Sequence, residues 1–348
     1  MSGPPLQAFR PLIPRAWLVP LMPLYAAAAA CKNAVYDFGF AKPLTLRAPV
    51  ISIGNLSTGG SGKTPFVFLL AQLLIARGHG VDVLSRGFGR TGSHAVQVDP
   101  SGDATHFGDE PLLLAQRGLD VFVAAQRYQA GLLAESTSAG ARMHLLDDGF
   151  QHRQLARTVD IVLVTARDLE DRLLPAGNLR EPISSLHRAH VVVLREEDAA
   201  LREPLLDHIS KRAATTARTP AIWLVRRRLS IQSTMSQASP ARPFAFCGLA
   251  RPAEFRASLT SLGLDAAGLI AFPDHHPYTL DDMHHIVQQA QSSGADGLLT
   301  TAKDAVKLTS PMLAALSAAG PLAIAELHLQ LLDEDRCMRE LLALTAAV

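Results

Sequence analysis

Short apolar runs alternate with segments of helical periodicity through the first two thirds of the chain. Such runs precede polar or glycine-rich clusters at 49–53, 81–84, 121–124, 143–146, 160–164 and 190–194. Alternation of buried strands with helices is typical of βαβ units, which place parallel strands side by side under helices on both faces. The pattern predicts an α/β fold with a mainly parallel sheet, and ligands of such sheets bind at the carboxyl ends of the strands.

A second, shorter alternation of the same kind follows. Strands are predicted at 243–246, 268–272, 297–300 and 322–327, with helical patterns between them. The stretch 233–241 has the composition of a linker, and 333–346 has the periodicity of an amphipathic helix. We therefore predict four parts: an N-terminal segment at 1–40, a first α/β domain at 41–225, a second, smaller α/β domain at 226–330, and a C-terminal helix in 331–348 that packs back on the first domain.

The N-terminal segment has a different pattern. An uncharged run that contains two prolines separates Arg15 from Lys32, and it is shorter than the roughly 20 apolar residues that a spanning helix needs. The basic flanks and the aromatic rings of Trp17 and Tyr25 are typical of the membrane interface. We expect an amphipathic or re-entrant segment on an anionic membrane surface. A secretory signal and an ordinary buried helix are the alternatives.

Composition excludes some classes of function. The chain has 348 residues, 48% of them hydrophobic, and a formal net charge of +1. A chain so close to neutral lacks the basic surplus that drives binding to nucleic acid. Its cysteines, Cys31, Cys247 and Cys337, are scattered without a CxxC pair, which favours reduced thiols over a disulfide framework or a zinc site.

The strongest motif is the glycine-rich segment 55–65, NLSTGGSGKTP, which lies between a predicted strand and a predicted helix. Glycines let backbone N–H groups converge on an anion, and the start of the helix adds its positive dipole end. This context predicts a P-loop that binds ATP, although Ser57 occupies the first glycine position of the usual pattern. A glycine-rich turn that binds nothing is the alternative. The predicted nucleotide-binding residues are Ser57, Thr58, Gly59, Gly60, Ser61, Gly62, Lys63 and Thr64.

Two carboxylate pairs follow predicted strands of the first domain. Asp147 and Asp148 end the apolar run 143–146, which is the Walker B pattern whose aspartate holds Mg²⁺. A plain strand–turn junction is the alternative there. Asp109 and Glu110 open a helical run, where they either complement the helix dipole, hold Mg²⁺ or take a proton from an attacking hydroxyl.

Basic and histidine side chains occupy the other loops that follow strands. Arg86 and Arg180 are candidates to contact a phosphate, with a solvated turn as the alternative for Arg86. His275 and His276 follow an aspartate and suit a metal site, a general base or a structural loop. Lys303 follows a strand of the second domain and is a candidate to contact the phosphate of a nucleotide or substrate.

Taken together, nine segments resemble the tetraacyldisaccharide 4′-kinase family of lipid A biosynthesis. They are the N-terminal Pro-Leu…Tyr segment, GGSGKTP (59–65), SRGFGR (85–90), GDEP (108–111), DDGFQH (147–152), LPAGNLREP (174–182), FCGLARP (246–252), FPDHHPY (272–278) and TAKDAVK (301–307). They occur in order and cover nearly the whole chain. The chain departs from the pattern at Ala302, where we expect Glu, and at Asn178, where we expect Pro.

The resemblance implies a reaction and a location. It implies a P-loop kinase core joined by a β-ribbon to a smaller α/β domain, on the cytoplasmic face of the inner membrane. Such an enzyme moves the γ-phosphate of ATP, with Mg²⁺, to the 4′-hydroxyl of tetraacyldisaccharide 1-phosphate and gives lipid IV-A. Its partners are this lipid substrate and the inner-membrane surface.

The resemblance also implies roles for single residues. Asp109 is the base for the 4′-hydroxyl and His275 is paired with it, while Lys63 and Asp148 complete the catalytic set. The implied ligands of Mg²⁺ are Thr64, Glu110, Asp147 and Asp148. The candidates for the substrate's 1-phosphate or the transferring group are Arg86, Arg127 and Arg180.

The residues alone leave two other classes of protein open. One is another P-loop kinase of small molecules. The other is a membrane-associated nucleotide switch or metallochaperone ATPase that uses the two histidines for metal. A GTPase carries an N-K-x-D motif that reads the base, whereas the nearest segment, 301–304, has Thr in place of Asn.

Overall fold

The first half of the chain folds as alternating strands and helices. The computed structural model describes residues 15–60, 62–137, 140–212, 219–233 and 239–346. Strands β1 to β7 are Val50–Asn55, Gly80–Ser85, Val96–Gln97, Asp120–Val123, Arg142–Asp147, Val159–Val164 and Val191–Arg195. Helices α1 to α7 are Met22–Asp37, Lys63–Ile75, Ala104–Phe107, Asp109–Gln116, Arg127–Thr137, Ala166–Glu170 and Arg202–Arg212. Segments of 3₁₀ helix lie at Arg15–Leu21, Ile183–Arg188 and Glu196–Leu201.

The second half repeats the alternation around a smaller group of strands. Strands β8 to β12 are Ala221–Ser233, Phe244–Cys247, Gly268–Ala271, Leu298–Thr301 and Leu322–Leu331. Helices α8 to α12 are Pro252–Ser261, Leu280–Ser292, Ala302–Ala305, Ser310–Leu316 and Glu334–Ala346, with a 3₁₀ turn at Ser317–Ala319. Part of the predicted linker at 233–241 lies outside the described residues.

All the named strands belong to one sheet. Their order across the described residues is β10-β9-β11-β12-β8-β7-β6-β1-β5-β2-β4-β3. Neighbours pair in parallel except β3 with β4 and β8 with β12. The predicted α/β fold with a mainly parallel sheet is confirmed, and the carboxyl ends of β1 and β5 lie together, where the P-loop and the Asp147–Asp148 pair follow them.

Strand β8 links the two halves of the sheet. Its first residues, 221–225, pair in parallel with β7, whereas 225–233 pair antiparallel with β12. The predicted boundary between residues 225 and 226 therefore falls inside one strand. We call the strands and helices before β8 the first unit, and those from β9 to α11 the second unit. The β8–β12 ribbon joins these two units.

Helix α12 packs on the first unit. Its buried side chains Cys337, Met338 and Leu341 belong to the same apolar cluster as Phe66 of α2. Trp223 of β8 lies in this cluster too, and its indole N–H donates to Glu340 over 2.8 Å. Each large apolar side chain buried in this way stabilises the fold by about 1.5–3 kcal/mol.

Helix α1 lies on the outside of the protein. Among the described residues, Trp17–Asp37 is the one helical stretch long and apolar enough to cross a membrane. None of the residues of α1 is buried, which contradicts the alternative of an ordinary buried helix. Its apolar side chains are not concentrated on one face, which does not favour the amphipathic form of the expected amphipathic or re-entrant segment. Pro23 lies in the first turn of α1, where its missing N–H breaks no helical hydrogen bond.

Candidate active site

The predicted P-loop connects β1 to α2. Gly59, Gly60 and Gly62 have φ angles of 78°, 63° and 84°, a left-handed conformation that favours glycine. Gly62 caps the N-terminus of α2, and Lys63 begins that helix. Free N–H groups of the first turn and the helix dipole therefore face the loop. Ser61 was predicted to bind nucleotide as well, and it lies outside the described residues.

Flanking residues hold the start of this loop in place. Ser57 is buried beside Leu179, and its hydroxyl has no hydrogen-bond partner among the described residues. The backbone N–H of Thr58 donates to the carbonyl of Asn178 over 2.9 Å. Thr64 is buried in the first turn of α2. The departure from the family pattern at Asn178 thus lies at a contact that supports the P-loop.

Lys63 points back toward the end of β1. Its ammonium group donates to Asn55 Oδ1 over 3.1 Å and lies 3.5 Å from Asp148 Oδ1. Arg180 forms two parallel hydrogen bonds of 2.8 Å with the Asp148 carboxylate and also donates to Asn55 Oδ1. These cations outweigh the effect of burial and hold the pKa of Asp148 well below its usual range. Arg180, predicted to contact a phosphate, is here engaged by Asp148 and Asn55.

Asp147, the neighbour of Asp148 in sequence, has a different environment. The side chain is buried, and Oδ1 has no hydrogen-bond partner among the described residues. Burial and the negative charges of Glu110 and Asp148 raise the pKa of Asp147 to about 7. A divalent cation bound beside the carboxylate oxygens of Asp147 would offset both the effect of burial and the repulsion from Glu110 and Asp148. The predicted ligands therefore suit Mg²⁺.

The described residues contain no group of three or more His, Cys, Asp or Glu side chains arranged to hold a metal by themselves. Mg²⁺ usually takes one or two carboxylates together with phosphate oxygens and waters. The sparse donor set around Asp147 therefore suits Mg²⁺ that arrives with a nucleotide better than a closed metal cage.

Asp109 and His275 meet from opposite units. His275 Nδ1 lies 2.8 Å from Asp109 Oδ2, although the two residues are 166 positions apart. Burial raises the pKa of the Asp109 carboxyl, but the His275 hydrogen bond and the charge of Lys303 outweigh that effect and lower it. The same hydrogen bond raises the pKa of His275. The predicted pairing of these two side chains is present in the structure.

Arg127, another predicted phosphate ligand, lies near the aspartate pair. Burial lowers the pKa of its guanidinium, and the charges of Asp148 and Asp147 offset only part of that effect. Its Nη1 is 3.5 Å from His152 Nδ1. Burial and the charge of Arg127 lower the pKa of His152 to about 4. Arg86 is exposed, and its charge acts on both Arg127 and His152.

A cleft of about 240 Å³ separates the P-loop from the second unit. Gly60, Lys63 and Glu110 line it on one side, and Arg251 and Lys303 line it on the other. The stem of Arg251 lies so close to Gly60 that a Cβ there would meet its Cδ at 2.9 Å. Side chains of the second unit therefore reach the P-loop across this cleft.

Comparison with known proteins identifies the family. A family model described as tetraacyldisaccharide-1-P 4′-kinase matches residues 14–346. The chain belongs to this family. The resemblance predicted from the nine segments is confirmed.

Curated relatives and a solved structure agree with this membership. A tetraacyldisaccharide 4′-kinase of Koribacter versatilis is 40% identical over 331 residues, which cover 93% of this chain and 97% of the relative. One of Aquifex aeolicus is 37% identical over 306 residues, which cover 84% of this chain and 90% of the relative. A crystal structure of LpxK from Aquifex aeolicus in complex with ATP superposes with a TM-score of 0.73 at 31% identity, over 95% of this chain and 99% of that one. The P-loop kinase-type fold predicted from the sequence is confirmed.

Sequence reasoning missed a charged cluster of this family member's cleft. The carboxylate of Glu254 lies within 4 Å of four guanidinium groups, those of Arg167, Arg195, Arg227 and Arg251. Only Arg251 falls in a segment, FCGLARP, that the resemblance had singled out. The other three arginines come from the first unit and β8, and nothing in the local sequence predicts that they converge.

The second histidine of the FPDHHPY segment has a structural environment. His276 Nε2 lies 3.1 Å from Asp282 Oδ2, and its ring stacks on Phe272 at 4.6 Å. Lys307 donates to the carbonyl of His276 over 3.2 Å. The two histidines therefore face different partners, which does not suit the shared metal site of the metallochaperone alternative.

Helix α1 docks beside the active-site loops. Tyr25 donates to the carbonyl of Arg180 over 3.1 Å, and Asn33 donates to Glu181 Oε2 over 3.0 Å. Arg153, just after the DDGFQH segment, pairs with Asp37 at 2.7 Å. The N-terminal segment of this family member is thus tied to the loop that carries Arg180.

Proposed function

We propose that this chain transfers the γ-phosphate of ATP to the 4′-hydroxyl of tetraacyldisaccharide 1-phosphate and gives lipid IV-A. Family membership supports the reaction, and the solved relative is in complex with ATP. The observation that carries the proposal is the convergence of a P-loop and a carboxylate–histidine pair at one cleft. Lys63 and Glu110 line that cleft, and Asp109 precedes Glu110 in α4.

In this mechanism Asp109 is the base for the acceptor hydroxyl. Its lowered pKa keeps it ionised at neutral pH. It accepts the proton only as the hydroxyl oxygen bonds to phosphorus, because that new bond makes the O–H group far more acidic than it is in the free alcohol. Phosphoryl transfer depends on positioning and charge neutralisation more than on covalent chemistry. Lys63 supplies a positive charge to the β- and γ-phosphates, and the glycines of the loop bring backbone N–H groups to the same oxygens.

Thr64, Glu110, Asp147 and Asp148 are the residues that would hold Mg²⁺. The bound ion neutralises charge on the phosphates of ATP. Asp148 also keeps Lys63 and Arg180 in place through its hydrogen bonds and ion pair. Arg86, Arg127 and Arg180 are assigned to the substrate's 1-phosphate or the transferring group. Arg127 and Arg86 suit this role best, because Arg180 is engaged by Asp148.

We assign the parts of the chain accordingly. The kinase domain at 41–225 binds ATP, and the smaller domain at 226–330 supplies His275. The segment at 1–40 associates with the cytoplasmic face of the inner membrane and holds the lipid substrate near the cleft. The exposed side chains of Trp17 and Leu24, which are 71% and 73% accessible, support this location. No nucleic-acid partner is implied.

The location has its own test. A variant that lacks residues 1–35 should lose most of its partitioning onto anionic vesicles while the P-loop unit still binds ATP. Vesicle co-sedimentation measures the first property, and a fluorescent ATP analogue reports the second. Unchanged partitioning of the truncated protein would contradict the membrane role of this segment.

The reaction is tested by transfer of labelled γ-phosphate from ATP to tetraacyldisaccharide 1-phosphate in detergent micelles. We expect lipid-dependent transfer by the wild type, and a loss of about 10²–10⁴-fold in Asp109→Ala. Lys63→Ala should lose activity as well. Asp281→Ala, which removes an exposed carboxylate at the start of α9, is the control and should retain it. Hydrolysis of ATP by the wild type without transfer to lipid would favour the nucleotide switch instead.

A further inference from the structure

Lys303 of α10 makes a set of contacts at the edge of the cleft that the proposed mechanism does not use. Its ammonium nitrogen lies 3.1 Å from His275 Nε2, 3.0 Å from Asp274 Oδ1 and 3.3 Å from Glu110 Oε1. The side chain is only 18% exposed. A lysine ammonium has three N–H groups, so these three acceptors match its full donor capacity.

The contact with His275 fixes the direction of a hydrogen bond. A protonated lysine donates and cannot accept, so Nε2 of His275 must present a lone pair to Nζ. With that lone pair on Nε2, a neutral imidazole carries its single N–H proton on Nδ1. Nδ1 then donates to Asp109 Oδ2, from which it is 2.8 Å away.

We propose that Lys303 is a positioning residue that holds His275 in the tautomer with its proton on Nδ1. The proposal rests on the proposed role of Asp109 and His275 in the transfer. In the opposite tautomer, an Nε2–H would face the ammonium group, and the lone pair of Nδ1 would face the Asp109 carboxylate. Both contacts would be repulsive, so Lys303 from the second unit aligns the base that the first unit supplies.

This arrangement determines where the proton of the acceptor goes. The O–H bond of the 4′-hydroxyl breaks, its oxygen bonds to the γ-phosphorus, and the bond from that phosphorus to the bridging oxygen of ADP breaks. The proton moves to Asp109, while the proton of His275 remains on Nδ1. Because Lys303 donates to Nε2, that nitrogen is not the acceptor of the transferred proton, which stops at the carboxyl group of Asp109.

The first test is direct observation of the tautomer. The full chain, labelled with ¹⁵N-histidine in detergent micelles, is studied by two-dimensional NMR that correlates ring nitrogens with ring protons. His275→Gln identifies the signal among the 13 histidines. We expect protonation of Nδ1 in the wild type, and a shift of population toward Nε2–H in Lys303→Met. Protonation of Nε2 in the wild type, or an unchanged spectrum in Lys303→Met, would overturn the proposal.

Kinetics separates a positioning role from a contact with phosphate. Lys303→Met should lower kcat by about tenfold or more with a change in the KM for ATP of less than about threefold, and Lys303→Arg should recover most of the loss. Lys42→Met, at an exposed site, is the control and should behave as wild type. A raised KM with unchanged kcat and tautomer would identify Lys303 as a phosphate ligand and overturn the proposal.

The two readouts distinguish the proposals from each other. The wild-type spectrum needs no substrate, so it decides the tautomer even if Lys303→Met does not fold. Absence of phosphoryl transfer by the wild type would overturn the proposed function and leave the tautomer assignment standing.

Discussion

Two aspartates that are adjacent in sequence hold their protons with very different strength. Asp148 is paired with Arg180 and Lys63, which hold its pKa well below the usual range. The pKa of Asp147 is raised to about 7 by burial and by the charges of Glu110 and Asp148. One carboxylate therefore stabilises the fold through its ion pairs, whereas the charge of the other becomes favourable when a cation binds.

This difference predicts opposite effects of two conservative substitutions on stability. Asp147 binds a proton more tightly in the folded than in the unfolded protein, so its contribution to stability falls as the pH rises from its ordinary pKa of 3.8 to about 7. Asp147→Asn should raise the Tm of the protein without nucleotide and metal by about 2–5 °C at pH 8. The gain should shrink toward zero near pH 4, as measured by differential scanning calorimetry.

Asp148→Asn is the matched control for that experiment. The lowered pKa of Asp148 gives stability that is present above pH 3.8 and is lost as the pH falls through the folded pKa. This variant should therefore lower the Tm at pH 8. A fall in Tm for both variants would contradict the interpretation of Asp147 as an unsatisfied carboxylate.

Most residues on the P-loop side of the site were predictable from the sequence, because their backbone conformation or their place after a strand requires particular residue types. Gly59, Gly60 and Gly62 need left-handed φ angles, and Asp147 follows an apolar strand. The contact of Lys303 with His275 and the convergence of arginines on Glu254 were not predicted. These contacts depend on how the two units meet, and local spacing carries no information about that.

At the scale of elements, the buried strands were predicted well and the ribbon poorly. An apolar run marks 221–225, where β8 pairs with β7. The continuation of β8 to Ser233 crosses Arg226–Arg228 and is only partly buried, so it carries no hydrophobic signal. The two prolines of the N-terminal run fall in the 3₁₀ segment before α1 and in its first turn, where they are tolerated.

The docking of α1 predicts a link between the N-terminal segment and catalysis. Asn33→Ala removes the hydrogen bond to Glu181, and Tyr25→Phe removes the one to the carbonyl of Arg180. The double variant should lower kcat several-fold, because the loop that holds Arg180 against Asp148 loses two anchors worth about 1 kcal/mol each.

Transfer of labelled phosphate in micelles measures this effect, and vesicle co-sedimentation shows whether membrane binding is retained. Leu24→Ala, which truncates an exposed apolar side chain of α1, is the control; it should affect partitioning more than kcat. Wild-type kcat in the double variant would mean that α1 serves only as an anchor.

At the scale of the whole molecule, α12 completes a core that begins near residue 51. Leu341 is fully buried in the cluster that contains Ile51, Phe66 and Trp223. Leu341→Ala should lower the free energy of unfolding by about 2–5 kcal/mol. Denaturant unfolding followed by tryptophan fluorescence measures this change, and Arg339→Ala, at an exposed position of the same helix, should cost less than about 0.5 kcal/mol. Equal losses in the two variants would contradict a core role for α12.

The return of α12 to the first unit has a consequence for synthesis of the protein. The ribosome synthesises β1 and α2 long before residues 334–346. An apolar patch around Phe66 therefore stays uncovered until α12 has been translated. The apolar cluster of the second unit, around Phe246 and Met283, lies within residues 244–322 and is available earlier. The unit whose translation begins first is therefore the last to close, and until then its apolar patch is exposed on the growing chain, which is the condition that favours aggregation and calls for chaperones.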